Sequence, residues 1–218
     1  GGSGAVHRGL ITTVPETGST NADLAAAIRA GETVAEGDWL VADRQTSGRG
    51  RQGRGWFDGL GNFMGSTVVR VNVRDPAPAS LALVTAIALY ETVHPLLPST
   101  AALQLKWPND LLLSDAKLAG ILLEREGDAV VVGIGVNLAS SPDLPDRRTI
   151  ALSSFGPAPD RDLFAQSLEG NFAREVERWR IYGIAPLVRR WENVAHPAGT
   201  DLIVSPPGEG PIKGAFDG

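Results

Sequence analysis

Short apolar runs alternate with longer helical segments along this chain. The short runs have the length of buried or half-buried strands. Strands are predicted at residues 10–14, 39–42, 63–74, 103–105, 111–113, 118–124 and 129–137. Within the third of these, residues 69–74 alternate valine with a polar residue, which is typical of a strand that has one face in solvent.

Four segments have helical features. Residues 19–23 supply polar side chains that cap a helix, which continues over residues 24–30 and ends at Gly31. Residues 79–93 are apolar on nearly all sides and predict a largely buried helix. Asp160 is expected to cap a long helix, and a shorter one is expected over residues 186–194. One apolar stripe follows the long helix: Phe164, Leu168, Phe172, Val176 and Trp179.

The order of these elements favours an α+β fold, because the strands cluster centrally and the helices lie towards both ends. Beyond His196 the composition changes to glycine, proline and short β runs at residues 202–204, 212 and 216. We interpret residues 198–218 as an incomplete β module, because about 20 residues are too few for an independent barrel. Residues 5–197 are the predicted main domain, and residues 1–4 (GGSG) are interpreted as a linker.

Composition excludes several kinds of site. The 218 residues are 43% hydrophobic and 21% charged, as in ordinary globular proteins, and none is cysteine. A disulfide framework, a thiolate metal site and a cysteine nucleophile are therefore excluded. The three histidines lie far apart in the sequence, so we expect no zinc site.

Charge and hydropathy bear on partners and location. The net charge of −5 argues against nucleic acid as a partner of the whole fold. The longest apolar run, at residues 81–90, is shorter than the roughly 18 residues that cross a bilayer. The first residues have neither the basic nor the apolar region of a signal peptide. We therefore expect a cytoplasmic protein with no membrane partner.

The clearest candidate for chemistry is a glycine–arginine segment at residues 48–56, GRGRQGRGW. Alternating glycines let backbone N–H groups approach a ligand closely, and Arg49, Arg51 and Arg54 add positive charge. Such a segment can wrap a phosphate or a carboxylate. A solvated basic loop and an RNA-binding arginine–glycine segment are the alternatives.

A second candidate is KWPND at residues 106–110, followed by KLAG at residues 117–120. The proline predicts a turn that presents Asp110 at the start of a strand. Lys106 and Lys117 are point charges suited to a carboxylate or phosphate oxygen, although for each lysine alone a surface ion pair is the more common explanation. Asp110 alone is compatible with a turn cap.

A third candidate is GIGVN at residues 133–137. Two glycines weaken a strand unless a group must lie close to its backbone. Asn137 either contacts the edge of an adenine or closes a turn.

These motifs occur in a fixed order, after TGSTN at residues 17–21 and with QTS at residues 45–47 preceding the glycine–arginine segment. Together they resemble the biotin protein ligase family over nearly the whole chain. The resemblance is to the monofunctional type, which has no N-terminal DNA-binding domain. It implies a mixed central sheet flanked by helices, as in class II synthetases and biotin–lipoate ligases, followed by the start of a C-terminal SH3-like module.

The resemblance also implies a two-step reaction with ATP and biotin as substrates and Mg²⁺ as the assisting ion. The biotin carboxylate attacks the α-phosphate of ATP, which gives biotinyl-AMP and pyrophosphate. A lysine of a carrier domain then attacks this mixed anhydride. A reactive anhydride must be shielded from water, and a glycine-hinged arginine segment can fold over it.

The implied roles fall into three groups. Biotin would be bound by residues of the first two motifs and of the strand after KWPND: Ser19, Thr20, Asn21, Gln45, Gly48, Arg49 and Gly120. ATP and the adenylate would be bound by basic and adenine-facing residues: Arg49, Arg51, Arg54, Trp56, Lys117 and Asn137. Arg51 and Lys117 would stabilise developing charge, and Asp110 would orient the incoming amine or accept its proton. A role of Asp110 in binding Mg²⁺ is equally open, and Asn109 would support Asp110.

The implied protein partner is the biotin carboxyl carrier protein of acetyl-CoA carboxylase or a similar complex. We expect no DNA binding, because the first strand is predicted within ten residues of the start. A homodimer is possible through a sheet edge, for which residues 69–74 are the candidate.

Two other functions share some of these features. A lipoate–protein ligase uses the same adenylate chemistry, but its pocket accepts a longer apolar acid and would not require this pair of motifs. A non-catalytic biotin or nucleotide sensor would keep the glycine–arginine segment, and the presence of both Lys117 and Asp110 argues against it.

Overall fold

A computed structural model describes residues 9–196, 199–204 and 212–215 of the chain. Nine strands are found in this part: β1 (Ile11–Thr17), β2 (Trp39–Gln45), β3 (Phe63–Arg70), β4 (Leu103–Lys106), β5 (Asp110–Leu113), β6 (Ala116–Glu126), β7 (Ala129–Val136), β8 (Asp201–Val204) and β9 (Ile212–Ala215). The same part contains four α-helices: α1 (Thr20–Arg29), α2 (Leu81–Val93), α3 (Arg161–Tyr182) and α4 (Ala185–Glu192).

The main sheet is mixed. Its strand order is β1-β2-β3-β7-β6-β5-β4. β1 pairs parallel with β2, and the other neighbours are antiparallel. This confirms the predicted α+β fold with a mixed central sheet. β8 and β9 form a separate antiparallel pair.

The pleat of the central strands separates a core face from a second face. On β7, Val130, Val132 and Ile134 join the main core with α2, α3 and α4. The intervening Ala129 and Val131 pack with α1 in a smaller cluster. We call this second side of the sheet the α1 face. Because side chains alternate along a strand, Gly133 and Gly135 belong to the α1 face as well.

Capping residues mark the start of two of the helices, α1 and α3. Ser19 caps α1, so the helix already begins at Thr20, and Gly31 follows it with a φ of 76°. Asp160 caps α3 by accepting hydrogen bonds from the backbone N–H groups of Asp162 and Leu163, at 2.9 Å each. The predicted capping residue and the buried stripe of α3 are both confirmed.

The predicted strand at residues 63–74 is only partly correct. β3 ends at Arg70. Residues 63–69 are buried, because β2 and β7 flank the strand while the main core covers one of its faces and the cluster with α1 covers the other. The chain then turns, with the backbone N–H of Asp75 bonded to the carbonyl of Asn72. Residues 69–74 therefore form no exposed edge strand, and β1 and β4 are the edges of the sheet.

One helical segment in the described part is long and apolar enough to cross a membrane, by length and composition alone. It is Pro78–Leu96, in which short helical turns extend α2 at both ends. The central helix of a globular core passes the same test, and residues 81–89 are buried in the core here. The segment is therefore only weak support for a membrane span.

Residues 1–4, predicted as a linker, and Phe216, predicted to continue the β module, lie outside the described residues.

Leu168→Ala should lower the free energy of unfolding by about 2–5 kcal/mol, because it opens a cavity under α3. Leu168 has 0% exposure in the main core. Leu163→Ala on the same helix is the matched control, because Leu163 is 63% exposed and should change stability by less than about 0.5 kcal/mol. Urea unfolding measures both, and equal losses would contradict this packing of α3.

Candidate functional site

A cleft of about 1170 Å³ opens on the α1 face of the sheet. It exceeds the usual range of single-ligand pockets, roughly 300–1,000 Å³, so it has room for two ligands side by side. Twelve of the thirteen residues predicted to act in binding or catalysis line it: Ser19, Thr20, Asn21, Gln45, Arg49, Arg51, Arg54, Trp56, Asp110, Lys117, Gly120 and Asn137. The carbonyl of Gly48 accepts from the backbone N–H of Trp56 at 2.8 Å, and a Cβ on Gly48 would lie 3.0 Å from Gln45 Nε2.

Five buried polar side chains occupy one end of the cleft, and we call them the polar cluster. Its members are Ser19, Thr20, Asn21, Gln45 and Ser66. Gln45 Oε1 accepts from the backbone N–H of Thr20 at 2.8 Å. The hydroxyls of Thr20 and Ser66 lie 2.7 Å apart, and Ser66 donates to Asn21 Oδ1 at 2.5 Å. Buried polar groups must be paired, so this end of the cleft favours a polar ligand.

Two glycines of β7 bring large groups close to the sheet, as the GIGVN pattern indicated. A Cβ on Gly133 would lie 2.3 Å from Asn21 Oδ1, and a Cβ on Gly135 would lie 2.2 Å from the Trp56 indole. A Cβ on Gly120 of β6 would also lie within 2.9 Å of that indole. Trp56 Nε1 is buried with no hydrogen-bond partner among the described residues.

The glycine–arginine segment folds as a small hairpin across the mouth of the cleft. Arg49 and Gly55 form an antiparallel bridge, and Arg51 begins a short helical turn at the tip. Gln52 in that turn has a φ of 58°. Arg49, Arg51 and Arg54 are all exposed, so their charges face solvent at the mouth of the cleft.

An ion pair holds the base of this hairpin. Asp58 accepts from Arg44 at 2.8 Å and from the backbone N–H of Gln45 at 2.9 Å. The hydrogen bond from Arg44 lowers the pKa of Asp58, and the backbone donor adds to this effect. Asp58 therefore remains charged at neutral pH and fixes the end of β2, where Gln45 enters the polar cluster.

A bulge in β6 turns Lys117 towards the cleft. Leu111 pairs with Ala119 and Leu112 with Lys117, so Leu118 is an extra residue in the strand. Bulges are a known way to re-aim a side chain near a site. Lys117 Nζ consequently lies 2.9 Å from Asp110 Oδ1, with Asp110 opposite Gly120 on the next strand.

The side-chain amides of Asn109 and Asn137 both donate hydrogen bonds to backbone carbonyls. Asn109 donates to the carbonyl of Ile121 at 3.1 Å, which fixes the turn before Asp110. Asn137 donates to the carbonyl of Ile150 at 3.1 Å, while its Oδ1 is buried with no hydrogen-bond partner among the described residues. Asn137 thus ties the end of β7 to residue 150, and its Oδ1 is left without a protein partner there.

Positive charge dominates the lining. Seven basic residues face three acidic ones, in a protein with a net charge of −5. The basic residues are Arg49, Arg51, Arg54, Lys106, Lys117, Arg147 and Arg148, and the acidic ones are Asp110, Asp115 and Asp146. Concentrated cations in a concave site attract anionic ligands such as phosphates.

The loop at residues 142–149 supplies cleft residues that the sequence patterns did not indicate. Arg147 and Arg148 lie there, and Arg147 is paired with Asp146. This hydrogen bond lowers the pKa of Asp146 and raises that of Arg147, so both stay charged. Ser66 was also missed. Its signal is the run of small residues 65–67 within an apolar strand, which is compatible with a close ligand.

Within residues 9–196, 199–204 and 212–215, no three His, Cys, Asp or Glu side chains converge to hold a metal ion. Asp110, the predicted candidate, is instead paired with Lys117. The described side chains therefore do not fit a dedicated metal centre.

Gly135→Ala should lower the free energy of unfolding by about 1–3 kcal/mol, because the new methyl group overlaps the Trp56 indole. Gly170→Ala in α3 is the matched control, since a Cβ there meets nothing within 4 Å. Adding Trp56→Ala to Gly135→Ala should recover most of the loss, a non-additivity that a double-mutant cycle measures. A Gly135→Ala protein as stable as the control would contradict this contact.

Comparison with known proteins agrees with this geometry. The model of the biotin/lipoate A/B protein ligase family matches residues 18–138. The biotin–[acetyl-CoA-carboxylase] ligase of Paracoccus denitrificans is 38% identical over 213 residues, covering 93% of this chain and 87% of that protein. The ligase of the same name from Mycobacterium tuberculosis is 39% identical over 183 residues, covering 82% and 68%. The structure of biotin protein ligase from Aquifex aeolicus in complex with biotin and ATP has a TM-score of 0.80 at 26% identity, covering 94% of this chain and 85% of that one. The chain belongs to the biotin/lipoate A/B protein ligase family and, within it, to the biotin protein ligases.

Proposed function

We propose that this protein is an ATP-dependent ligase that forms biotinyl-AMP and transfers biotin to a lysine of a biotin carboxyl carrier protein. The observation that carries this proposal is a buried polar cluster that continues into a strongly cationic cleft. A cyclic urea needs several hydrogen-bond partners when it is buried, and the phosphates of ATP need cations. Both requirements are met within one cavity, alongside membership of the family.

The polar cluster is the proposed site of the biotin ring. Thr20 and Gln45 would bond the ureido group, with Ser19 and Asn21 as its neighbours. Gly48, Arg49 and Gly120 would border the rest of the biotin molecule. The dithiolane ring of lipoate offers no comparable hydrogen bonds, so burying it here would leave polar groups unpaired.

In the proposed first step, a carboxylate oxygen of biotin attacks the α-phosphorus of ATP. The bond from that phosphorus to the bridging oxygen breaks, and pyrophosphate leaves with the electron pair. Arg51 and Lys117 would stabilise the charge that develops on the phosphoryl oxygens, and Arg49 and Arg54 would add to the field. Closure of the hairpin that carries Arg51 would exclude water from the mixed anhydride.

Adenine would lie against Trp56 and Asn137, whose unpaired Nε1 and Oδ1 atoms offer one donor and one acceptor. Mg²⁺ would enter as part of the MgATP substrate, since the described residues do not form a metal centre of their own.

In the proposed second step, the carrier lysine attacks the carbonyl carbon of biotinyl-AMP. The C–N bond forms, the C–O bond of the anhydride breaks and AMP leaves. Asp110 would orient the amine and accept its proton, because the carboxylate lies at the cleft beside Lys117.

We further propose that residues 5–197 form the catalytic unit, that residues 198–218 begin an SH3-like module and that residues 1–4 are a linker. We infer a cytoplasmic location and action without DNA or a membrane, which the net charge of −5 supports for DNA. A homodimer, if formed through a sheet edge, would use β1 or β4.

The proposed function is tested by intact-mass spectrometry of a biotin carboxyl carrier domain incubated with the protein, ATP, Mg²⁺ and biotin. We expect the mass to increase by one biotinyl group, and we expect no increase when lipoate replaces biotin. Biotin-dependent pyrophosphate release without carrier labelling would limit the activity to the first step. Labelling by lipoate would identify a lipoate ligase, and the absence of both signals would favour a sensor.

Arg51→Gly should release biotinyl-AMP roughly 10- to 100-fold faster, because a charge-assisted contact of about 1.5–3 kcal/mol is lost. Arg74→Gly is the matched control, since Arg74 is exposed on a turn outside the cleft. Stopped-flow dissociation of the adenylate measures the rate, and equal retention by both variants would contradict the proposed role of Arg51.

A further inference from the structure

A carboxylate just outside the cleft wall contacts both the polar cluster and the glycine–arginine segment. Glu124 lies on β6, and its side chain is 31% exposed. Its Oε2 accepts from Asn21 Nδ2 at 2.8 Å. Its Oε1 lies 3.7 Å from Arg49 Nη1. None of the motifs discussed above includes this residue.

The first contact sets the direction of the hydrogen bonds that run from Asn21 through Ser66 to Thr20. An ionised carboxylate can only accept, so Asn21 must present its amide nitrogen to Glu124 and its oxygen to Ser66. Ser66 must then donate its single proton to Asn21, at 2.5 Å. The Ser66 oxygen is left to accept from the hydroxyl of Thr20, at 2.7 Å. The same hydroxyl lies farther from Gln45 Oε1, at 3.2 Å, and its single proton goes to the nearer Ser66 oxygen, which would otherwise face a second oxygen with no proton between them.

The direction of these hydrogen bonds decides which donors and acceptors remain for a ligand. With their protons committed along the chain, the hydroxyl oxygens of Thr20 and Ser66 have only lone pairs left to present. Gln45 Oε1 already accepts from the backbone N–H of Thr20, so its Nε2 remains as a donor. Two acceptors beside one donor complement the two N–H groups and the carbonyl of a cyclic urea.

Close packing keeps Asn21 in place for this role. A side chain on Gly133 would overlap the Asn21 amide, with 2.3 Å between Cβ and Oδ1. The amide therefore lies flat against β7 and is bonded at both ends, by Glu124 and Ser66.

We propose that Glu124 is a positioning residue, which orders the donors and acceptors of the polar cluster and holds Arg49 beside it. The identity of the ligand as a cyclic urea rests on the proposed function, whereas the ordering itself does not. Glu124 is not among the residues that line the cleft, so it acts through Asn21 and Arg49.

The first test needs no ligand. Glu124→Leu and Asn21→Ala are combined in a double-mutant cycle on the unfolding equilibrium in urea. We expect a coupling of about 5-fold in the equilibrium constant, typical of residues that share a hydrogen bond. Additive effects of the two substitutions would overturn the proposed contact.

The second test measures biotin affinity by titration calorimetry, which separates the dissociation constant from the fraction of active protein. Glu124→Leu should weaken biotin binding roughly 10- to 100-fold, since the order of the cluster is lost. Glu124→Gln should restore most of the affinity, because an amide oxygen can still accept from Asn21. A merely structural role would lower the active fraction and leave the dissociation constant unchanged, which would overturn the proposal.

Glu126 provides the matched control. It lies two residues along the same strand and pairs with Arg29 outside the cleft. Glu126→Leu should bind biotin as the unsubstituted protein does, and an equal loss in both variants would overturn the assignment to Glu124. If the unsubstituted protein binds no biotin while the coupling to Asn21 is present, the proposed function fails and the ordering of the cluster stands.

Discussion

The pleat of the central strands is the constraint on which this structure depends. Successive side chains point to opposite faces, so β5, β6 and β7 can build an apolar core and a polar cleft from the same residues. On β5, Leu111 and Leu113 are in the core, while Asp110 and Leu112 line the cleft. A strand backed by a rigid core holds its polar side chains accurately, which suits a site that must position reacting atoms.

The cleft also keeps its buried polar groups apart from its exposed charges. The polar cluster lies where water is excluded, so each hydrogen bond there is strong and each unpaired group is costly. The arginines lie at the mouth, where they attract phosphates over a longer range at little desolvation cost. One cavity thus combines hydrogen-bonding groups that suit an uncharged ring with a positive field that suits an anionic group.

Much of this could be predicted from the sequence, and the exceptions have physical reasons. The buried helix α2 was evident from its apolar residues on nearly all sides and the stripe of α3 from its periodicity, and the motif residues converge on one cleft. The length of β3 was wrong, because alternating Val69 to Arg74 has the pattern of a strand but Arg70 is where pairing ends. Glu124 and Ser66 were missed, because the role of each depends on its hydrogen bond with Asn21, which is distant in sequence.

The bulge at Leu118 limits which insertions and deletions β6 can accept. Lys117 and Gly120 share the cleft although they stand three positions apart, which regular alternation forbids. Removing or adding one residue between them would send the ammonium group into the hydrocarbon interior, where an ion is very unfavourable. The interval from Lys117 to Gly120 is therefore as much a part of the site as the two residues themselves.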